Sequence, residues 1–292
     1  MATYENAIEI SNITKHYDGF TLDNVSFNVP KGSIMGFIGR NGAGKTTTIR
    51  SLLNITNIDA GEIRLLGLAH VKDEFEIKKR IAVVFDELPF HDVLNAADMA
   101  RIFQGLYPEW DNTVYSEYLE RFALPPKKKI GQYSKGMKMK LQIACALSHN
   151  AELLIMDEAT TGLDPIVRDE ILHIFMEYLK GGERSILMSS HITGDLEKIA
   201  DSVTFIEKGK ILLTGSKDTI LETHGIIKCS KEEVANIEKA DIVSVRIDQS
   251  GAAAMICKKE RGQHKYNGFI MDTASLSDIM LYYVHKGEMG WQ

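Results

Sequence analysis

The sequence predicts an α/β protein built around a mostly parallel β-sheet. Short apolar runs that end at glycine or at polar residues alternate with segments of helical periodicity, which is the pattern of strand–helix–strand units. A glycine-rich loop at residues 39–46 joins one such strand to the next helix and supports the same architecture. The pattern changes after about residue 215, so we expect a main domain over residues 1–215 and a small α+β accessory domain over residues 216–292.

Composition limits the classes of function. The 292 residues are 44% hydrophobic and 25% charged, which is ordinary for a globular protein with a sizeable core. The net charge of −6 gives no overall basic surface, so we predict no nucleic-acid partner. The cysteines, Cys145, Cys229 and Cys257, form no CxxC pair, which argues against a disulfide framework or zinc site and favours a reducing cytosol.

The sequence predicts neither a secretory signal nor a transmembrane helix, because no run of about 18 apolar residues occurs. If the protein acts at a membrane, we expect a partner chain to supply the membrane span.

The predicted elements follow from hydrophobic periodicity and from turn residues. A helical region is expected over residues 88–150, interrupted by Pro125-Pro126 and a solvated lysine run. Strands are predicted at residues 8–10, 25–29, 33–39, 81–85, 152–159, 185–191 and 203–215, and further helices at residues 45–54 and 165–181.

The glycine-rich loop fits the pattern G-x-x-x-x-G-K-[ST] and predicts a phosphate-binding loop. Glycines let backbone N–H groups close around phosphate oxygens, and the helix that follows directs its positive end at the same anion. Lys45 can reach the β- and γ-phosphates, and the hydroxyl of Thr46 can ligate Mg²⁺. The predicted nucleotide-binding residues of this loop are Gly39, Arg40, Asn41, Gly42, Ala43, Gly44, Lys45, Thr46 and Thr47.

Two carboxylates end the apolar run "LLIMDE" at residues 153–158. Asp157 suits the Mg²⁺ shell, directly or through water. Glu158 is then free to act as a general base that polarises a water molecule for in-line attack on the γ-phosphate. His191 follows another apolar strand and could contact the γ-phosphate from the strand end, although a lone histidine is more often a surface or core residue.

The order of these motifs resembles the ATP-binding subunit of an ABC transporter over about residues 5–220. Tyr17 stands at the family's adenine-stacking aromatic position, and "TTGLDP", which contains Asp164, is similar to its D-loop. The segment "YSKGM" is similar to the family's signature loop and supplies Ser134, Lys135, Gly136 and Met137. The resemblance implies a P-loop NTPase core of ABC type with an antiparallel β subdomain and an α-helical subdomain.

The resemblance also implies a mechanism and partners. Two ATP-binding subunits, identical or related, would sandwich two ATP molecules with Mg²⁺, and the signature loop of each subunit would close on the nucleotide held by the other. A separate multi-span permease would place the protein at the cytoplasmic face of the cell membrane. The segment "TASLSDIMLYYVHKG" is similar to the ending of ABC-2-type exporter ATPases, including Gram-positive, GntR-regulated exporters of antibiotics or amphipathic peptides.

Two motifs depart from the family pattern. The signature is usually LSGGQ, but here Lys135 replaces a glycine and Met137 replaces the glutamine. Asp86 stands where the family has a glutamine that senses Mg²⁺ and the permease. A carboxylate also ligates Mg²⁺, so Asp86 joins Thr46 and Asp157 as a predicted metal ligand. The alternative is that Asp86 is an ordinary loop residue.

Three other functions were weighed against an exporter ATPase. A soluble ABC ATPase acting on ribosomes would carry two cassettes, and one acting in DNA repair would need a long coiled coil between Asp86 and Ser134, where the chain is too short. A regulatory module that holds ATP without turnover would not need Lys45, Asp157, Glu158 and His191 together. A small-molecule kinase would have no use for the signature loop.

Overall fold

The computed structural model describes residues 4–87, 89–247, 251–257, 266 and 268–291. Residue 88, where the predicted helical region begins, and residues 248–250 and 258–265 within the predicted accessory domain lie outside the described residues. The described strands are β1 (Asn6–Tyr17), β2 (Phe20–Pro30), β3 (Ile34–Ile38), β4 (Ala60–Leu65), β5 (Leu68–Ala69), β6 (Ile81–Phe85), β7 (Leu153–Asp157), β8 (Ser185–Ser190), β9 (Ser202–Glu207), β10 (Lys210–Ser216), β11 (His224–Cys229), β12 (Ile242–Ile247), β13 (Ala252–Cys257), β14 (Ile270–Thr273) and β15 (Met289–Trp291). The described α-helices are α1 (Lys45–Leu52), α2 (Glu74–Arg80), α3 (Ala96–Leu106), α4 (Asn112–Arg121), α5 (Lys135–Leu147), α6 (Pro165–Tyr178), α7 (Thr193–Ile199), α8 (Lys217–Thr223) and α9 (Leu276–Val284).

The central sheet has the strand order β10-β9-β3-β8-β7-β6. All neighbours in it run parallel except β10, which forms an antiparallel hairpin with β9. Strands β3, β7 and β8 are buried along their whole length, as expected for parallel strands covered on both faces. The predicted parallel sheet is therefore confirmed, and the carboxyl ends of β3, β7 and β8 meet at one end of it.

An antiparallel sheet with the order β2-β1-β4-β5 covers one face of the central sheet. The aromatic rings of Phe27 in β2 and Phe37 in β3 stack with their centroids 5.1 Å apart and join the two sheets. Sequence patterns predicted only parts of β1 and β2 and missed β4, β5 and α2. Strand β4 buries only Ile63 and Leu65, β5 has two residues, and in α2 only Ile77 is buried, so their periodicity carries little signal.

Side-chain caps fix the helices between β6 and β7. Asn95 and Asp98 form a reciprocal capping box at the start of α3, and the Asp111 side chain accepts hydrogen bonds from the first turn of α4. Ser134 caps α5 by accepting a hydrogen bond from the Met137 N–H at 3.2 Å. Each cap satisfies N–H groups that have no partner within their own helix. The α-helical subdomain implied by the resemblance is present.

The residues after β10 form a third sheet with the order β14-β11-β13-β12-β15. Helix α9 packs against α7, and the Leu276 N–H at the start of α9 donates to Glu197 Oε1 of α7 at 2.6 Å. Val243 and Ile279 belong to the same hydrophobic cluster as Leu196 of α7. The division between residues 215 and 216 falls near the end of β10, and it stays a prediction.

None of the helices in the described part of the chain is long and apolar enough to cross a membrane.

Candidate nucleotide-binding site

The glycine-rich loop connects β3 to α1 at the carboxyl end of the central sheet. Gly39 lies so close to β9 that a Cβ atom there would be 2.6 Å from the carbonyl oxygen of Ile206. Gly44 has φ +118°, and a Cβ atom there would be 3.2 Å from the ring of Phe20. Both positions therefore require glycine, and the backbone they permit directs the first turn of α1 at the space above the loop.

That space is a cavity of about 400 Å³. It contains most of the predicted phosphate-binding loop together with Glu158, which comes from the end of β7. Its lining residues are Phe20, Arg40, Asn41, Gly42, Gly44, Lys45, Thr46, Thr47 and Glu158.

Lys45 lies at the floor of this cavity with only 5% of its surface exposed. Its Nζ donates to the carbonyl oxygens of Gly39 at 2.6 Å and Arg40 at 3.2 Å, and it lies 2.9 Å from Glu158 Oε1. A buried ammonium group needs such partners because desolvation is costly. The lysine is thereby held in place with its charge directed into the loop.

Glu158 connects the loop to the next strand. Its Oε2 accepts hydrogen bonds from Thr161 Oγ1 and from the ring of His191, each at 2.7 Å. Because a carboxylate only accepts, Nδ1 of His191 carries the proton in this contact. The backbone of Glu158 is left-handed, with φ +55°, and its N–H donates to Ser189 Oγ at 3.1 Å.

These contacts set the charge of Glu158. Burial has the largest effect and raises the pKa of Glu158, but hydrogen bonds from Lys45, Thr161 and His191 and the Lys45 charge lower it more. The pKa of the carboxyl therefore lies below the usual glutamate value, and the group is ionised at neutral pH. An ionised, oriented carboxylate beside a phosphate-binding loop can accept a proton from water.

Asp157 and Thr46 are two of the predicted Mg²⁺ ligands. Asp157 is buried at the end of β7, where its Oδ1 accepts a hydrogen bond from Ser189 Oγ at 2.7 Å. Thr46 lines the cavity. Within the described residues no three His, Cys, Asp or Glu side chains are grouped closely enough to hold a metal ion alone. This donor set fits a cation that also takes oxygens from phosphate and water, as Mg²⁺ does.

The predicted signature and D-loop residues lie outside this cavity, at the adjoining ends of α5 and α6. Gly136 in the first turn of α5 faces α6, because a Cβ atom there would be 3.8 Å from the Val167 side chain. Asp164 caps α6 by accepting from Ile166 N–H at 3.1 Å and Val167 N–H at 3.0 Å. The two helix starts therefore form a second surface, beside the turn that follows Glu158.

Comparison with known proteins agrees with this geometry. The ABC transporter family matches residues 22–161. The bacitracin transport ATP-binding protein BcrA of Bacillus licheniformis is 38% identical over 208 residues, which cover 70% of this chain and 68% of that protein. The chain belongs to the ABC transporter family. The lantibiotic transport ATP-binding protein SrtF of Streptococcus pyogenes is 34% identical, over 72% of this chain and 91% of that protein.

Among solved structures, the ATP-binding subunit of an ABC transporter superposes with a TM-score of 0.68 and 26% identity, over 74% of this chain and 92% of that one. The predicted family and the α/β fold of ABC type are thus confirmed. As an ABC ATP-binding protein the chain binds and hydrolyses ATP.

The predicted adenine-stacking residue and one predicted metal ligand lie outside the cavity lining, as Gly39, Ala43, Asp157, His191 and the signature and D-loop residues also do. Tyr17 is 46% exposed at the end of β1, with Lys15 Nζ 5.8 Å from its ring centroid. Asp86 follows β6, and its Oδ1 lies 2.7 Å from Lys135 Nζ. The adenine-stacking role of Tyr17 and the metal-ligand role of Asp86 stay predictions.

Sequence reasoning missed three residues at the site. Phe20 lines the cavity because the β1–β2 hairpin carries it over Gly44, and its only signal was an aromatic residue after the Asp18-Gly19 turn. Thr161 and Ser189 hold Glu158 and Asp157. Thr161 lies in the predicted D-loop segment and Ser189 in a predicted strand, but neither pattern indicates that their hydroxyl groups hold the two carboxylates.

Proposed function

We propose that this protein powers export of an amphipathic antimicrobial peptide or a similar drug through a separate ABC-2-type permease. The observation that carries the ATPase part is the contact of Glu158 with both Lys45 and His191 at the phosphate-binding loop. The substrate class is suggested by relatives whose names state bacitracin transport and lantibiotic transport. In this proposal the protein lies at the cytoplasmic face of the cell membrane, held by the permease.

The loop from Gly39 to Thr47 binds the phosphates of ATP, with Tyr17 or Phe20 against the adenine ring. Lys45 is already held by two carbonyl oxygens of the loop, so only its contact with Glu158 must yield to the γ-phosphate. Thr46 and Asp157 would hold Mg²⁺, which would supply positive charge to the phosphate oxygens when bound.

Hydrolysis then depends on Glu158. The carboxylate takes a proton from a water molecule whose oxygen attacks the γ-phosphorus, and the bond from that phosphorus to the bridging oxygen of ADP breaks. The products are ADP and inorganic phosphate, and the proton rests on Glu158 before it leaves to solvent. His191 keeps the carboxylate oriented through the 2.7 Å contact and can face the γ-phosphate with its other ring edge.

A second copy of this chain completes the proposed assembly. The start of α5, from Ser134 to Met137, and Asp164 at the start of α6 face the nucleotide bound by the other subunit. Binding energy from both nucleotides then holds the dimer, and hydrolysis releases it. Helix α9 of the accessory region is attached through Leu276 to α7, and α7 begins two residues after His191.

Affinity purification of the tagged protein from detergent-solubilised native membranes, followed by mass spectrometry, tests the partner. We expect a multi-span protein at near-equal stoichiometry, and ATP turnover that rises when the two are reconstituted with an amphipathic peptide substrate. Recovery of ribosomes or DNA-repair proteins without a membrane protein would contradict the export function while leaving the ATPase chemistry intact. The Glu158→Gln variant serves as the inactive control in both measurements.

A further inference from the structure

Two of the residues that depart from the family pattern, Lys135 and Asp86, contact each other. Lys135 Nζ lies 2.7 Å from Asp86 Oδ1, although the residues are 49 positions apart. Both side chains are half exposed, at 48% for Lys135 and 42% for Asp86. The lysine of the signature segment is therefore paired, within its own chain, with the carboxylate that follows β6.

Two further contacts fasten helix α5 to the same segment. Lys138 Nζ, one turn beyond Lys135, lies 3.1 Å from Asp92 Oδ1. Gln142 holds the backbone of Phe85 from both sides, accepting from its N–H at 3.1 Å and donating to its carbonyl oxygen at 3.0 Å. Phe85, Asp86 and Asp92 are thus each joined to α5, and the Lys135–Asp86 pair lies at the first residue of that helix.

Lys135 also lies close to the turn that follows Glu158. A Cβ atom at Gly162, which has φ +72°, would lie only 3.2 Å from Lys135 Nζ. The ammonium group therefore lies where three segments meet: the loop after β6, the start of α5 and the turn before α6. If Lys135 changed its partner, the contact between the loop after β6 and the start of α5 would change. This contact lies beside the turn that follows Glu158.

We propose that Lys135 has two alternative anionic partners: Asp86 of its own chain and the terminal phosphate of the nucleotide bound by the second subunit. This inference rests on the proposed function, in which the segment from Ser134 to Met137 faces that nucleotide. An exposed ion pair shifts an equilibrium by about five-fold at most, so a phosphate group of higher charge displaces the carboxylate. Asp86 then acts as a positioning residue for Lys135 rather than as a metal ligand.

This exchange would let the segment after Asp86 respond to nucleotide in the other subunit. While Lys135 is paired with Asp86, the loop after β6 is held to the start of α5 by this ion pair. When Lys135 binds the phosphate instead, its ion pair with Asp86 is broken, while the contacts of Gln142 with Phe85 and of Lys138 with Asp92 remain. The loop next to Asp86 thus gains freedom only when the second nucleotide is in place.

The test uses the full chain with Glu158→Gln as the parent, so that ATP is bound without turnover. Dimerisation at saturating ATP is measured by sedimentation. The parent is compared with four variants made in it: Asp86→Asn, Lys135→Gln, the combination of these two, and Asp92→Asn. The last is a matched control, because it breaks the neighbouring Lys138–Asp92 pair on the same segment and helix. In parallel, the reactivity of Lys135 towards an amine-reactive reagent is read by peptide mass spectrometry with and without ATP.

Asp86→Asn should tighten the ATP-dependent dimer by about two- to five-fold, because it removes the competing anion. Lys135→Gln should weaken the dimer by about ten-fold or more, the double variant should match Lys135→Gln alone, and Asp92→Asn should match the parent. Lys135 should become more reactive in Asp86→Asn without ATP and be protected again when ATP is added.

Two results would overturn the proposed exchange of partners. One is an equal change in dimer affinity for Asp86→Asn and Asp92→Asn. The other is a tighter dimer with Asp86→Asn even when Lys135 is also replaced. If the parent stays monomeric with ATP, the proposed sandwich of two copies fails instead, and with it the phosphate partner. In that case the amine labelling still tests the Lys135–Asp86 pair. If Lys135 reacts equally in the parent and in Asp86→Asn, Asp86 has no role in positioning it.

Discussion

Lys45 Nζ lies 2.9 Å from Glu158 Oε1 at the floor of the phosphate-binding cavity. The lysine that is proposed to bind the γ-phosphate and the carboxylate that is proposed to activate water are thus counterions of each other. A γ-phosphate that takes the lysine leaves Glu158 with Thr161 and His191 as its remaining partners. Nucleotide binding and activation of the base are therefore physically linked through one ion pair.

Replacing Glu158 with glutamine should lower the turnover of ATP by at least about 100-fold, because the amide cannot accept the proton of water. ATP affinity should be kept or rise, since Lys45 loses its competing counterion. Steady-state turnover and equilibrium ATP binding measure the two effects. Glu170→Gln, on the surface of α6, is the control, and a Glu158→Gln rate within about two-fold of wild type would contradict the general-base role.

Removing the Lys45 charge with Lys45→Met should weaken ATP binding by about ten-fold or more, because a buried charge-assisted contact with phosphate is lost. ADP binding should fall less, since the γ-phosphate is absent. Isothermal titration with both nucleotides measures the difference. Lys78→Met, on the exposed face of α2, should change neither affinity, and equal behaviour of the two methionine variants would exclude Lys45 from phosphate binding.

Tyr17→Ala should weaken ATP and ADP binding equally, by about five-fold or more, if its ring stacks on adenine. The equal loss is the distinguishing result, because both nucleotides carry the same base. Phe20→Ala is the informative comparison, since Phe20 lines the cavity and Tyr17 does not. A loss confined to Phe20→Ala would move the adenine position from the end of β1 to the start of β2.

Glu152 provides a pH-dependent contribution to stability away from the site. Hydrogen bonding to Arg80 has the largest effect and, with Tyr4 and Lys31, keeps the pKa of Glu152 below its usual value despite partial burial. Burial, together with the hydrogen bond to Glu152 and the charge of that carboxylate, raises the pKa of Tyr4 to about 12. A carboxyl whose pKa is lower in the folded protein stabilises it above the unfolded pKa, and this contribution is lost as pH falls through the folded pKa.

Glu152→Gln should therefore lower the free energy of unfolding by about 1 kcal/mol near neutral pH, a value discounted for solvent screening of this partly exposed pair. The difference between wild type and variant should shrink as pH falls below about 4.5. Urea unfolding at several pH values measures it. Glu76→Gln, at an exposed pair with Lys79, is the control, and a difference that stays constant with pH would rule out the ionic contribution.

The parts of the site that the sequence predicted are those with local signals. The glycine loop is a contiguous pattern, and Asp157, Glu158 and His191 each end an apolar strand. Parallel neighbours bring their carboxyl ends together, so the contact of Glu158 with His191, 33 residues apart, follows from the pairing of β7 with β8. Fold class and the central constellation were therefore accessible from pattern alone.

The parts that were missed depend on contacts between distant segments. Phe20 reaches the cavity because an antiparallel hairpin lies over the glycine loop, and no periodicity in residues 20–30 indicates which face of β2 meets Gly44. The Lys135–Asp86 pair joins a helix start to a loop 49 residues earlier. Each residue was noticed as a departure from a pattern, but their contact could be found only in three dimensions.

The attachment of Gln142 to Phe85 has a consequence for how subunits can meet. Strand β6 ends one side of the central sheet as described, and such an edge offers unpaired N–H and C=O groups to any strand of another molecule. Gln142 occupies these groups at Phe85, and His149 Nε2 lies 3.0 Å from the carbonyl oxygen of Ile81 at the other end. Side chains therefore occupy backbone groups at both ends of β6, which disfavours pairing of this edge with a strand of another molecule. In the proposed dimer, copies of this chain therefore meet through loops and helix starts rather than through β6.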